Sequence, residues 1–354
     1  LPNPVLTLKS SGSEPEGTSG SVKQEKTNIC SGISIQEVFD SHSERLRLVE
    51  ARMKELFINR VPFIPLIGEY IVASGGKRLR PLFHILSSEL SGFSGDKSIE
   101  IACIIESIHT ASLLHDDVVD MAEVRRGKPS ANSVWGNQIV VLVGDFLYSN
   151  ALRAAVMLKN QKIMEALSNA TTRMTEGELL QLNKIGDPEL TEEDYLRIIS
   201  AKTGGLISAA CRIGAILGGR SDAEEAALAE FGMKTGMVFQ MADDILDYMA
   251  DEGDLGKKLC KDLEEGKITL PLLVLLSSAD DNNRAEVKQI IKDFSEPGAE
   301  RILELLRKYR AIEASMARAR ALIDDAKNAL SVFPESRARS MLVSIADYSL
   351  EREK

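Results

Sequence analysis

"SIEIACIIESIHTASLLHDD", Ser98 to Asp117, is apolar on nearly every face of a helix and then ends abruptly in charge. A helix with no polar side belongs in the middle of a bundle. The charge continues through "LLHDDVVDMAEVRRGKPS" (Leu113–Ser130), with three aspartates and two arginines directly behind the apolar run. "EEAALAEFGMKTGMVFQMADDILDYM" repeats the design further along, a buried helix pattern closing in acid. Before both, "IQEVFDSHSERLRLVEARMKELF" spaces Val38, Leu46, Val49, Met53 and Leu56 at helical intervals. Breaks fall at Gly- and Pro-containing stretches such as "ASGGKRLRP", "IGDPEL" and "FSEPGAE", with no series of alternating strand patterns between them. The expectation is an all-α chain of roughly a dozen helices, with a single domain over residues 34–354. Residues 1–33 are rich in Gly, Ser, Pro, Glu and Lys, bury too little to offset ordering entropy, and read as a disordered extension.

Composition narrows the function classes. Among 354 residues the formal net charge is −10, which argues against a nucleic-acid surface, since phosphate neutralisation needs clustered Lys and Arg. The four cysteines are scattered without a CxxC pair, so no zinc site is expected. No signal-peptide h-region is visible and no uninterrupted apolar run reaches the ~18 residues of a membrane span; "NQIVVLVGDF" is short and contains Asp145. A cytoplasmic protein is expected.

The chemistry-bearing signal is the repeated DDxxD. Asp116, Asp117 and Asp120 form the first, and Asp243, Asp244 and Asp247 the second. Asp116 and Asp120 are four apart and share a helix face. Carboxylates at a helix C-terminus oppose the macrodipole at a cost of about 0.3–1 kcal/mol each. One such motif reads equally well as a solvated helix end; two of the same spacing point to a compensating cation. All-oxygen clusters suit Mg²⁺, which typically bridges carboxylates to substrate phosphates. Cations then belong nearby: Lys77, Arg78 and Arg80 in "GGKRLRP", Arg125 and Arg126 in "EVRRGK", Lys202 and Thr203 in "AKTGG", Lys257 and Lys258 in "DLGKKL". His109, two turns before Asp116, reads alone as a core histidine and in this company as a diphosphate donor.

These residues resemble the trans-isoprenyl diphosphate synthases of the long-chain polyprenyl (octaprenyl or solanesyl) type. The resemblance covers about residues 35–354 and rests on "GGKRLRP", "LLHDDVVD", "RRGKPS", "GDFL", "AKTGGL", "FQMADDILDY" and "DLEEGKITLP", in that order. It implies an all-α, isoprenoid-synthase-type bundle around a deep central cavity, as a homodimer. It also implies that Asp116, Asp120, Asp243, Asp244 and Asp247 hold two or three Mg²⁺ ions on an allylic diphosphate. Arg125, Lys202, Thr203, Gln240 and Lys257 would complete that site, with Lys202 and Lys257 acting in catalysis beside Asp116, Asp120 and Asp243. Lys77, Arg80, His109 and Arg126 would bind isopentenyl diphosphate. The primer implied is farnesyl or geranylgeranyl diphosphate, and the product serves a quinone side chain, with transient membrane contact at its release.

Ile108, Ala111 and Ser112, upstream of Asp116, are expected to set chain length; Ala111 and Ser112 are small and leave a tunnel open. From Ser98 to Asp116 the helix would run ~27 Å at ~1.5 Å per residue, which suits C40. Two alternatives stay open. One is a shorter C15–C20 synthase. The other is a helical metal-dependent phosphohydrolase, suggested by "HDD" at His115–Asp117 but short of further histidines.

Overall fold

The computed structural model describes residues 32–249 and 259–351. Most of the 1–33 extension, together with Lys257 and Lys258, lies outside the described residues. The chain begins with α1 (Ile35–Leu56), α2 (Phe63–Ala73), α3 (Leu79–Leu90) and α4 (Lys97–Val119). A two-stranded hairpin, β1 (Val124–Arg125) and β2 (Lys128–Pro129), precedes α5 (Ala131–Trp135), α6 (Asn137–Met157), α7 (Gln161–Asn183) and α8 (Glu192–Ile199). A π-helical turn, Ser200–Gly204, leads into α9 (Gly205–Leu217) and α10 (Asp222–Leu246). The rest is α11 (Lys261–Glu264), α12 (Leu270–Ser278), α13 (Asp281–Lys292), α14 (Glu296–Lys308), α15 (Ala311–Ala329) and α16 (Arg337–Glu351).

The first helix starts where its cap allows: the Ser34 hydroxyl accepts from the Glu37 amide at 3.1 Å. In α4, Ile101, Ala102, Cys103, Ile104 and Ile105 are all buried, five consecutive positions covering every face. That is the all-round apolar helix of the sequence, flanked by α1, α3 and α6. Truncating Ile105 to alanine would cost about 2–5 kcal/mol through lost contacts and a cavity. The second buried helix, α10, opens with a reciprocal Ser221–Glu224 capping box and lies between α9 and α15. Contact of α9 with α3 joins the two helix sets, and Phe83 of α3 meets Phe231 of α10 edge-on with ring centroids 6.2 Å apart.

One expectation changes here. Asp145 does not interrupt the apolar run: α6 continues through it for 21 residues and, among the described residues, is long and apolar enough to cross a bilayer by length and composition. One side of it packs along α4 while Leu142, Val156 and Met157 stay exposed, and Asp145 Oδ1 lies 3.3 Å from His115 Nε2.

Candidate active site

Both acidic motifs sit where the sequence puts them, at the C-termini of α4 and α10, with Asp120 and Asp247 as the C-cap residues. The three aspartates of the first motif separate in role. Asp116 lines a cavity, and its pKa is pushed up to about 6, chiefly by burial; Lys202 opposes the shift, and Glu178 and Asp120 add to it. Asp117 turns the other way, buried, and accepts a 2.6 Å bond from Arg125 Nε. Asp120 Oδ2 lies 3.7 Å from Lys267 Nζ, which is also bonded to Glu265 at 2.7 Å.

In the second motif Asp244 is buried. The Tyr195 hydroxyl donates to its Oδ2 at 2.6 Å and Gln240 Nε2 to its Oδ1 at 2.9 Å. Burial lifts its pKa to about 6 against those two bonds. Asp247 Oδ2 accepts from the Asp262 amide at 3.0 Å. Asp262 itself is pushed up to about 7, first by burial and then by Asp244 and Asp247.

The π turn carries two of the expected residues. Lys202 Nζ is held by Glu178 at 2.7 Å and Gln181 at 2.8 Å, while Thr203 donates to Gln240 Oε1 at 2.9 Å. Such turns are uncommon and concentrate at functional sites. This one lies close against α10, where a Cβ on Gly236 would fall 2.8 Å from the Gly204 Cα. Lys202, Thr203, Gln240, Asp244 and Lys267 line one cavity of about 110 Å³. Lys202 also lines the second, of about 360 Å³, with Asp116, Glu178, Ser112 and Ile108.

The basic residues divide into partnered and unpartnered. Arg78, at the N-cap of α3 with φ 49°, bonds Glu50 at 3.0 Å and Glu106 at 3.1 Å, so it holds the fold. Arg80, two residues on, leaves a buried Nε without a hydrogen-bond partner. Arg126, at φ 53° in the hairpin turn, donates to Gly75 O. Gly76 sits at φ 145°, a backbone conformation that favours glycine, with the Arg126 guanidinium packed against it. His109 lies among them: burial, then Arg80, Arg126, Arg125 and Arg78, hold its pKa well below the ordinary value, so it is neutral. Lys77 reaches the Tyr348 hydroxyl, 5.0 Å above that ring's centroid.

Two expectations need adjusting. Arg125 is already paired with Asp117, as described. Of the chain-length residues, Ser112 and Ile108 line the 360 Å³ cavity, whereas Ala111 is packed into an apolar cluster with Phe57, Ile67 and Val140. One residue is about 100° of helix rotation. Sequence reasoning also missed Glu178, Gln181, Tyr195, Asp262 and Lys267. Only Lys267 had a signal, in "DLEEGKITLP", where Gly266 at φ 74° turns the chain.

Among the described residues no three carboxylate, imidazole or thiol groups gather around one point. That division fits magnesium, which commonly takes one or two carboxylates plus waters and phosphate oxygens. The orphaned Arg80 Nε fits an anion beside it.

An all-α bundle with two aspartate clusters, a cationic pocket and an apolar cavity defines a diphosphate-handling enzyme of the isoprenoid-synthase type. The chain belongs to the polyprenyl synthetase family, whose profile matches residues 62–308, and it is a prenyltransferase. It is 38% identical over 321 residues to the octaprenyl diphosphate synthase of Haemophilus influenzae, covering 90% of this chain and 98% of that one. The decaprenyl diphosphate synthase structure from Rhodobacter capsulatus superposes with a TM-score of 0.85 at 36% identity, covering 90% of this chain and all of that one. A polyprenyl synthase from Caulobacter crescentus, solved with calcium and isoprenyl diphosphate, gives 0.84 at 37% identity, covering 90% and 98%. The family acts with a divalent metal ion.

Proposed function

We propose that this enzyme condenses isopentenyl diphosphate with farnesyl or geranylgeranyl diphosphate, extending an all-trans chain to C40 for a quinone side chain. The observation that carries the reading is the cavity that begins at Asp116 and descends α4 past Ser112 to Ile108. A further cavity of about 570 Å³ lies along the N-terminal half of α4, with Ile99, Ile104 and Ala154 on its apolar side and Arg52, Glu55, Asp96, Lys97 and Glu100 on its charged side. Ile108 lines the first and Ile104, one turn away, the second, and both belong to one buried apolar cluster. An apolar cavity of ~150 Å³ accepts benzene. By that scale the upper cavity holds about fourteen carbons, and a longer chain would continue along α4 towards the second cavity.

The site then works by charge. Asp116, Asp120, Asp243, Asp244 and Asp247 would hold Mg²⁺, which would supply charge stabilisation for the departing allylic diphosphate. Lys202 and Lys267, with Lys257 from outside the described residues, bind that diphosphate as point charges. Arg80 Nε, Arg126 and Lys77 hold the second diphosphate, and neutral His109 adds a hydrogen bond. The isopentenyl double bond attacks the allylic cation, and the proton lost afterwards goes to the released diphosphate. No side-chain nucleophile is needed. Among the other histidines, His42 and His84 are tied to Val38 and Ala210 backbone oxygens, away from the acidic clusters, which disfavours the phosphohydrolase.

Exposed Leu142, Val156 and Met157 on α6, with Leu179 and Leu182 on α7, offer an apolar face to a second copy, so we read the enzyme as a homodimer. We place it in the cytoplasm, touching membrane when product leaves. Incubation with farnesyl diphosphate, isopentenyl diphosphate and Mg²⁺, with products identified by mass, tests the reading. Phosphate release without chain extension would refute it.

A further inference from the structure

We infer that Tyr195 is a positioning residue for the second aspartate cluster, fixing Asp244 so that α8, the π turn and the end of α10 form one hydrogen-bonded unit. Tyr195 is buried at 3% exposure, and its hydroxyl meets Asp244 Oδ2 at 2.6 Å, the length of a charge-assisted bond. The remaining links run in one consistent sense. Thr203 donates to Gln240 Oε1, which fixes the amide so that its Nε2 donates to Asp244 Oδ1. Both Asp244 oxygens are thereby engaged by protein donors. Asp244 sits among like charges, with Asp243, Asp247 and Asp262 as its neighbours. A carboxylate so placed keeps one orientation only while its donors hold it. Tyr195 supplies the donor from outside α10, and it precedes by seven residues the Lys202 that lines both cavities. Releasing it frees Asp244 to turn, and with it the neighbouring Asp243 and the Thr203–Gln240 wall.

This rests on the second cluster being the metal-holding end. The test is Tyr195→Phe, which keeps the ring in the core and removes only the donor. Outer-shell partners of metal sites typically contribute about 10- to 100-fold in metal affinity or activity. The half-saturating Mg²⁺ and the KM for farnesyl diphosphate should rise about tenfold or more, with less than about a twofold change in the KM for isopentenyl diphosphate and an unchanged helical spectrum. Unchanged Mg²⁺ dependence overturns the inference, and so does a uniform rise in all three constants with loss of thermal stability. Thr203→Val, at the other end of the same chain, gives an independent measure. If both ends act on one carboxylate, the double variant loses less than the product of the single effects; multiplying effects count against the network. Asp243→Asn separates the two claims. Normal Mg²⁺ dependence there defeats the metal reading itself, whereas an impaired Asp243→Asn beside an unaffected Tyr195→Phe defeats only the role of Tyr195.

Discussion

Ser112→Tyr should convert a long-chain synthase into a short-chain one. Ser112 lies one turn below Asp116 on the cavity wall, about 6 Å along the helix at ~1.5 Å per residue. A phenol ring there occupies roughly the ~150 Å³ that an apolar cavity needs for benzene, out of about 360 Å³ in the upper cavity. The remainder admits fewer than about ten carbons. Products should therefore stop at C15–C20, with isopentenyl diphosphate consumed per chain falling from several additions to one or none. The assay is mass analysis of the products from geranyl and farnesyl primers at matched turnover. Ala111→Tyr is the informative neighbour. Its Cβ is packed beside Phe57 and Val140, so the ring must displace that cluster or swing into the cavity. Either way overpacking should cost about 1–3 kcal/mol of stability, a loss that Ser112→Tyr avoids. If Ser112→Tyr still makes the wild-type length, the chain does not grow along this face of α4.

Other measurements probe the remaining parts. Arg80→Ala removes a charge-assisted bond of about 1.5–3 kcal/mol, so the KM for isopentenyl diphosphate should rise by about 10- to 150-fold and that for the allylic primer much less; the reverse pattern would mean the two pockets are exchanged. Asp116→Asn should lower turnover by orders of magnitude. Because its folded pKa of about 6 is raised above the usual value, the ionised form disfavours folding as pH rises through 6, and the metal-free variant should melt higher at pH 7. His84, fully buried, is held down to about 4. An unfolded chain binds its proton between pH 6.5 and 4 while the native one does not, so stability should fall by about 3 kcal/mol across that window. Denaturant titrations of wild type and His84→Gln at pH 7 and pH 4.5 would check this, the variant losing less.

What could be read from the sequence was whatever leaves a one-dimensional trace. The all-α fold follows from the spacing of apolar residues, and the buried character of α4 from five consecutive apolar positions. Orientation left no such trace. Asp116 and Asp117 are neighbours, yet one lines a cavity and the other bonds Arg125. The same rotation of about 100° per residue separates Ser112 from Ala111. Tyr195 and Glu178 come into play only because α8 and α7 lie alongside α10 and the π turn, a proximity that no local pattern encodes. Lys267 reaches Asp120 from 147 residues away in sequence, and only the fold brings them to 3.7 Å.

The deeper signal was charge placed against the helix dipole. Acid stands at the C-termini of α4 and α10, and "KRLR" stands at the N-terminus of α3, each opposed to the local field by about 0.3–1 kcal/mol per charge. A protein can relieve this internally, and Arg78 shows how, through Glu50 and Glu106. Arg80 has no such relief at Nε, and His109 beside it stays neutral, first because it is buried and then because the surrounding field is already positive. An unpaired buried guanidinium donor is costly, and an anion beside it, as the proposed function supplies, would relieve that cost. The N-terminus of α3 adds to that pull, because its amides also favour negative charge. By the same reasoning the carboxylates at the two C-termini call for a cation. On the proposed function, a diphosphate carried on a divalent metal would supply both charges at once and relieve the acid and base gathered at these helix ends.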